Sequence, residues 1–263
     1  MTPMTTRLNK YLAFCLGVSR READELIAKR RVMIEGVPAT LGAQIVPGTA
    51  VTVDGTPVIA PIAHRYIALH KPVGFVCSRK KQGTIDTIYS LLPPELHHLK
   101  PVGRLDKDSS GLLLLTDDGD FAHRMTHPSF YKTKVYEVGL DASLQPLHQQ
   151  MISDFGVMLE DGKSQFLVER VEPIGISSEE TSAAQARQGA GAPVRAWSEA
   201  VSDDDYTHQA IMYRIIMSEG RNRQIRRTFA ALGYTVTRLH RTQFGNYSLG
   251  DISPGEHKEF TIS

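Results

Sequence analysis

The stretch Gly103-Arg-Leu-Asp-Lys-Asp-Ser-Ser-Gly111, followed by Leu112-Leu-Leu-Leu-Thr-Asp-Asp-Gly119, joins a polar loop to a strongly apolar strand. Loops anchored by buried strands often carry reactive groups, so Asp106 and Asp108 are candidates for chemistry, although composition alone favours a turn. Asp117 and Asp118 have a simpler interpretation, because a turn after a strand often ends in an aspartate that caps the next helix.

The elements on either side of this stretch follow no regular strand–helix alternation. Residues 66–69, 112–115, 135–138 and 213–217 read as strands, and residues 120–125, 145–153 and 221–232 read as helices. This irregular spacing favours an α+β fold over a doubly wound one.

The N-terminal region has its own signature. Leu8, Tyr11, Leu12 and Cys15 form one apolar helical stripe. Gly17 stands where a left-handed cap ends a helix, and Ser19-Arg20-Arg21-Glu22 matches a capping box that begins a second one. Short strands at 32–34 and 51–53 follow, with turns at Glu35-Gly36 and Asp54-Gly55.

Two composition breaks divide the chain. The proline-containing segment 57–63 reads as a linker, which predicts one domain over residues 1–60 and another over 61–263. Residues 177–205 are rich in Ser, Ala, Gly and acidic side chains, and they predict an exposed insertion in the second domain.

Composition excludes several classes of protein. The 263 residues contain 2 cysteines, too few for a disulfide framework or a four-sulfur zinc site. No apolar run is long enough to cross a membrane, and the N-terminus has no apolar signal core. We therefore expect a cytoplasmic protein and, by default, a monomer.

The near-neutral total charge of +1 hides a segregation of charge along the chain. Residues 1–71 carry 9 basic and 5 acidic side chains, and residues 207–263 carry 8 and 4, whereas residues 141–206 carry 4 and 12. Two basic regions that flank an acidic middle suit a polyanionic partner, although charge also fluctuates along any chain.

Two further segments carry candidate functional groups. Four arginines crowd into residues 221–227 with no acidic residue among them, a pattern typical of phosphate binding or of pairing with a buried carboxylate such as Asp106. Strand alternation places Tyr136 on one face with Lys134 and Val138, where an aromatic ring either packs or stacks on an unpaired base.

A metal site is the less favoured interpretation of the aspartates. His123 and His127 follow the four aspartates of residues 106–118, yet their spacing matches neither a calcium loop nor a zinc motif. We expect no metal.

The N-terminal order Arg-Leu-Asn-Lys-Tyr-Leu, Gly-Val-Ser-Arg-Arg-Glu-Ala and Arg-Arg-Val-Met-Ile-Glu-Gly closely resembles the S-four-type (alpha-L) RNA-binding domain over residues 5–55. The resemblance implies binding of structured RNA. On that interpretation Arg20, Arg21, Arg30 and Arg31, around the second helix, contact phosphates.

The remaining motifs resemble those of the RsuA-type family of ribosomal RNA pseudouridine synthases. They are His-Lys-Pro-Val-Gly-Phe-Val-Cys-Ser at 70–78, the 103–119 stretch, Lys-Val-Tyr-Glu-Val at 134–138 and Gly-Arg-Asn-Arg-Gln-Ile-Arg-Arg at 220–227, in that order. The resemblance implies an N-terminal RNA-binding domain and a synthase domain with a mostly antiparallel mixed sheet flanked by helices. It also implies that uridine in RNA is isomerised without a cofactor.

The resemblance assigns roles residue by residue. It implies that Asp106 is the catalytic aspartate, by a covalent or an elimination route, with Arg226 keeping it charged and Tyr136 stacking on the target base. It also implies that Arg104 holds the RNA strand open and that Arg223 and Lys107 contact the RNA.

The target RNA is the open choice. The general pattern inclines toward large-subunit ribosomal RNA, with small-subunit ribosomal RNA or transfer RNA as alternatives. Two other classes are a non-catalytic RNA-binding protein of ribosome assembly and a metal-dependent nuclease. The joint presence of Asp106, Tyr136 and Arg226 weighs against the assembly protein.

Overall fold

The structure, a computed structural model, describes residues 5–61, 63–79, 83–171 and 211–262. The predicted insertion at 177–205 lies outside these residues. The chain divides into two compact units, one formed by the residues up to Phe130 together with those from Leu249 onward, the other by Tyr131–Ser248.

The described residues contain short strands in the N-terminal part and longer ones beyond it. The strands are β1 (Thr6–Arg7), β2 (Val32–Ile34), β3 (Val37–Pro38), β4 (Gln44–Ile45), β5 (Val51–Val53), β6 (Thr56–Pro57), β7 (Tyr66–Lys71), β8 (Lys100–Val102), β9 (Ser110–Thr116), β10 (Lys134–Leu140), β11 (Val157–Leu159), β12 (Gly162–Ser164), β13 (Leu167–Arg170), β14 (Ile211–Met217), β15 (Val236–Phe244), β16 (Tyr247–Ser248) and β17 (His257–Glu259). The α-helices are α1 (Leu8–Leu16), α2 (Arg20–Ala28), α3 (Gly119–Thr126), α4 (Pro146–Gln150) and α5 (Gln224–Ala231). Short 3₁₀ turns occupy Ile88–Leu91, Pro94–Leu96 and Pro128–Phe130, and a π-helical turn, Met151–Phe155, follows α4.

The N-terminal helices and short strands of the first unit share an apolar core. It is built from the buried residues Leu8, Leu12, Ala23, Ile27, Val32, Ala39, Ile45 and Val51. The predicted capping box is present, because the Ser19 hydroxyl accepts from the Glu22 N–H and the Glu22 carboxylate accepts from the Ser19 N–H. Gly17 ends α1 with a φ of 68°, as its position in the sequence predicts.

The longer strands of the first unit form an antiparallel sheet in the order β17-β7-β9-β8. Every residue of β7 and β9 is buried, since Leu112–Leu115 lie in the interior of the unit. Asp118 caps α3 by accepting from the N–H groups of Asp120 and Phe121, which confirms the structural interpretation of that aspartate.

The second unit has an antiparallel sheet in the order β13-β14-β10-β15-β16, and β11 and β12 form a separate hairpin. Helix α5 contacts β11 and β15. The predicted α+β class with mostly antiparallel strands is confirmed. Helix α5 begins at Gln224, three residues later than predicted, because Arg223 adopts a left-handed conformation with a φ of 44°.

Within the described ranges, no helix combines the length and the apolar character that a membrane span requires.

Candidate active site

Asp106 lies in the loop between β8 and β9 of the first unit. The loop begins at Gly103, whose φ of 71° is readily adopted by glycine alone, and it returns to the sheet at the buried Ser109 and Ser110. Leu105 is buried and Asp106 is partly exposed. The buried Leu105 side chain therefore anchors the loop beside Asp106, which stays partly exposed.

A buried lysine donates hydrogen bonds to the backbone of this loop. Lys71, at the end of β7, is 0% exposed, and its Nζ donates to the carbonyl oxygens of Pro72 (3.0 Å), Asp106 (3.0 Å) and Ser109 (2.7 Å). A buried ammonium is costly unless its protons are bonded, so three acceptors at these distances fix the path of the loop.

The segment after Lys71 supplies two further anchors. The Gly74 N–H donates to the Lys107 carbonyl at 2.7 Å. The Cys77 thiol donates to the Leu105 carbonyl at 3.3 Å and accepts from the Leu105 N–H at 3.5 Å. The backbone on both sides of Asp106 is thus tied to residues 71–77, and this gives the 70–78 motif a structural role that the sequence analysis did not assign.

Tyr136 lies in β10 of the second unit, between β14 and β15. It is 8% exposed, and its partners in register are Ile215 and Arg241. Directly opposed residues of antiparallel strands point to the same face, so Tyr136 and Arg241 share one side of the sheet. A register shift between Val135 and Tyr136 marks an irregularity in β10 at this position.

Two cations accompany Tyr136 on that face. The Arg241 guanidinium, 2% exposed, lies 4.9 Å from the centroid of the Phe244 ring, and Lys134 Nζ lies 5.3 Å from the same centroid. Lys134 Nζ also donates to the carbonyls of Lys132 and Ser218. Burial and, secondly, the Arg241 charge lower the pKa of Lys134 to about 8.

This lowered pKa predicts a pH dependence of stability that Lys134→Met removes. The pKa of an ordinary lysine is 10.5, so between pH 8 and 10.5 the unfolded chain binds a proton that the folded protein does not. The free energy of unfolding of the wild type, measured against that of the variant by urea titration, is expected to rise with pH over this interval and to level off below pH 8, where both states bind the proton. A difference between the two proteins that is constant from pH 7 to 11 would contradict the assigned pKa.

The four arginines of residues 221–227 divide into two pairs. Arg221 donates to Asp161 Oδ1 at 3.1 Å and to the carbonyls of Asp161, Gly162 and Lys163, and Arg227 donates to Asp161 Oδ2 at 2.7 Å. Asp161, in the β11–β12 turn, pairs with both arginines, and Glu219 Oε2 lies 3.3 Å from Arg221 Nε. Both arginines therefore attach the start of α5 to that hairpin.

Arg226 and Arg223 have different surroundings. Arg226 Nη1 donates to the Val236 carbonyl at 2.8 Å, which directs its guanidinium toward the start of β15. Arg223, at the N-cap of α5, is exposed. Both lie in the second unit and Asp106 lies in the first, so the pairing of Arg226 with Asp106 stays a prediction.

The other predicted RNA contacts lie on the surface of the first unit. Arg104 and Lys107 are exposed on the Asp106 loop. Arg20, Arg21 and Arg30 are exposed on α2 and just beyond it, whereas the Arg31 guanidinium makes a two-pronged ion pair with Asp54. Phosphate binding by Arg31 would have to compete with that carboxylate.

Sequence reasoning missed three side chains at these sites, namely Lys71, Cys77 and Arg241. Lys71 and Cys77 lie in the motif at 70–78, whose pattern did not indicate a role for either residue. Arg241 had a detectable signal, because a charged residue within a strand-like stretch is rarely buried unless it is paired or functional.

In the part of the chain that the structure describes, no three His, Cys, Asp or Glu side chains converge as a metal site would require.

The chain that carries this anchored aspartate loop is similar to a known class of enzyme. The family model described as RNA pseudouridylate synthase matches residues 65–231, so the chain belongs to this family and is an RNA pseudouridine synthase. A solved structure described as a pseudouridylate synthase aligns with a TM-score of 0.59 and 28% identity, covering 97% of this chain and 96% of that one.

Curated relatives narrow the family to the RsuA type. The ribosomal small subunit pseudouridine synthase A of Yersinia pestis is 34% identical over 257 residues, covering 97% of this chain and 94% of that protein. The protein of the same name from Escherichia coli K12 is 31% identical over 262 residues, covering 97% and 96%. The resemblance of the motifs at 70–227 to the RsuA-type family is confirmed.

Proposed function

We propose that this enzyme converts one uridine of small-subunit ribosomal RNA to pseudouridine, with the Asp106 carboxylate as its catalytic group. The observation that carries the proposal is the fixed loop, in which Lys71, Gly74 and Cys77 hold the backbone around a partly exposed carboxylate. Preorganisation of this kind lets a side chain act at a defined place on a substrate.

The reaction is an internal rearrangement. The bond between uracil N1 and the anomeric carbon breaks, the base rotates, and a bond from C5 to that carbon forms. The proton on C5 is lost and N1 gains one, so no electrons are exchanged with a cofactor. Asp106 either attacks the sugar or removes a sugar proton, and both roles require its ionised form.

Two residues of the second unit support this chemistry in the proposal. Arg226 is assigned the role of keeping Asp106 in its charged form. Tyr136 stacks on the extruded uracil, in keeping with its place beside the cations Arg241 and Lys134.

Binding of the RNA is assigned mainly to cations of the first unit. Residues 1–60 act as the S-four-type domain, with Arg20, Arg21, Arg30 and Arg31 on phosphates, and residues 61–263 carry the synthase. Arg104 and Lys107 on the Asp106 loop, and Arg223 at the start of α5, contact the strand around the flipped nucleotide. We propose that the protein acts as a monomer in the cytoplasm.

The proposed target, small-subunit ribosomal RNA, differs from the large-subunit RNA that the sequence motifs favoured. The motifs alone favoured large-subunit RNA, whereas the two relatives described above, each covering 97% of this chain, are named for the small subunit. The large-subunit inclination has no support among these relatives, and the small-subunit alternative replaces it.

The test uses purified protein and three unmodified transcripts, of small-subunit RNA, large-subunit RNA and transfer RNA. Carbodiimide mapping is expected to find one new pseudouridine in the small-subunit transcript, with the same yield in excess chelator. Modification only in another transcript would overturn the target, and binding without modification would favour an assembly protein. A product that appears only when divalent ions are present would contradict metal-independent chemistry.

A further inference from the structure

Three cations from separate elements of the first unit lie close together where the N-terminal helices contact the rest of that unit. Arg20 is the first residue of α2, Arg79 follows β7, and Lys100 begins β8. Arg20 and Arg79 are both near enough to Lys100 for their charges to lower its pKa, after the larger effect of burial.

Contacts with neighbouring groups fix two of these cations in place. Lys100 Nζ donates to the Val18 carbonyl at 3.1 Å, which ties the turn between α1 and α2 to β8. Arg79 Nη2 donates to the His98 carbonyl at 2.8 Å, and its guanidinium lies 5.5 Å from the centroid of the Tyr89 ring. Arg20 Nη2 reaches the start of α3, lying 4.0 Å from where a Cβ would stand at Gly119.

The charges of this cluster are incompletely balanced by protein groups. Glu22 is near Arg79 and Lys100, but its carboxylate closes the capping box by accepting from the Ser19 N–H at 2.6 Å. The charge of Asp117 also acts on Lys100, and that carboxylate contacts His64 at 2.8 Å and His98 at 3.6 Å. Within the described ranges, no ion pair joins Arg20 or Arg79 to a carboxylate. Exposed cations held near one another repel, and an anion placed among them relieves that repulsion.

We propose that Arg20, Arg79 and Lys100 form a binding site for a single backbone phosphate of the RNA substrate, at the junction of the N-terminal helices and the synthase fold. The two exposed arginines bind the non-bridging oxygens, and Lys100 holds the junction in place beneath them. The site extends the proposed phosphate-binding surface of α2 to residues of the synthase fold in the same unit as Asp106. This inference rests on the proposed function, because it assumes an RNA substrate.

The experiment measures binding of the full chain to the small-subunit RNA transcript as a function of salt. Arg20→Gln and Arg79→Gln are made singly and together. The double variant is expected to bind about tenfold more weakly near physiological salt. The magnitude of its negative slope of log affinity against log salt is expected to decrease by about one. Each single variant is expected to change the slope by less, because the remaining arginine still neutralises the same phosphate.

A matched control removes two cations of the same unit that are already paired with acids. Arg65 Nε lies 3.0 Å from Glu259 Oε1, and Lys258 Nζ lies 3.8 Å from Asp251 Oδ1. Arg65→Gln combined with Lys258→Gln changes the net charge equally and is expected to leave the slope almost unchanged. Thermal melts verify that every variant folds.

The outcomes separate this inference from the proposed function. A double variant with the same slope as the wild type overturns the proposed site. A slope whose magnitude decreases by two overturns the claim that both arginines bind the same phosphate. Formation of pseudouridine by the wild type is measured on the same transcript. If the wild type modifies the RNA while the double variant keeps its full affinity, the inference alone has failed. A wild type that forms no product contradicts the proposed function, whereas the salt slopes still test the site.

Discussion

Asp106→Asn is expected to abolish pseudouridine formation while the affinity for RNA stays within about twofold of the wild type. The amide has the shape of the carboxylate but can neither attack the sugar nor accept a proton, so the rate falls by about 10⁴-fold or more. The measurement is release of tritium from C5-labelled uridine in single-turnover reactions at saturating RNA.

Asp108→Asn is the matched control, because Asp108 lies two residues away on the same loop and is exposed. It removes the same charge and is expected to keep the rate within a few-fold of the wild type. Tritium release by the Asp106 variant at the wild-type rate would remove Asp106 from the mechanism, and equal losses in both variants would show that the charge of the loop matters rather than one carboxylate.

Lys71→Met is expected to lower the free energy of unfolding by about 3 kcal/mol, because it removes the buried donor shared by three carbonyl oxygens, of which that of Asp106 also accepts from the Ser109 N–H at 3.1 Å. The rate is expected to fall as well, since the carbonyl of Asp106 is one of the three. Urea unfolding at an unchanged m-value measures the first effect. Single-turnover rates at saturating RNA, well below the melting temperature of the variant, measure the second.

A role limited to stability would leave the rate of the folded variant unchanged, and that outcome would contradict the assignment of Lys71 as a positioning residue. Lys107→Met supplies the control for stability, because Lys107 is exposed on the same loop. Its midpoint in urea is expected to match that of the wild type. An unchanged midpoint for Lys71→Met would show that the hydrogen bonds of Lys71 do not contribute to stability.

Local signals predicted the elements well where the conformation depends on residues close together in the sequence. The capping box at Ser19, the left-handed end of α1 at Gly17 and the cap at Asp118 depend on neighbours within four residues, and each is present in the structure. The run 112–115 is buried as its composition indicates. The predicted start of α5 was three residues too early because Arg223 adopts a left-handed conformation, and Arg221 before it bonds to the distant residues 161–163, an interaction that no local pattern contains.

The same distinction holds for the candidate site. Motifs in a fixed order identified Asp106, Tyr136 and Arg226 as candidates, and their roles stay predictions. The sequence did not indicate that Lys71 holds the backbone of the Asp106 loop, or that Asp161 neutralises two of the four arginines. These contacts join residues 35 and more positions apart, so their existence depends on how the strands pair.

The sequence by itself determined the family, the α+β class and which side chains are available for chemistry, because capping and burial periodicity are properties of nearby residues and motif order is a property of the linear chain. Only the tertiary structure decided which of those charges are used to hold the fold and which are left at the surface. A lysine beneath a loop and an arginine on a helix have the same charge, and their different roles follow from the carbonyls and carboxylates that folding places beside them.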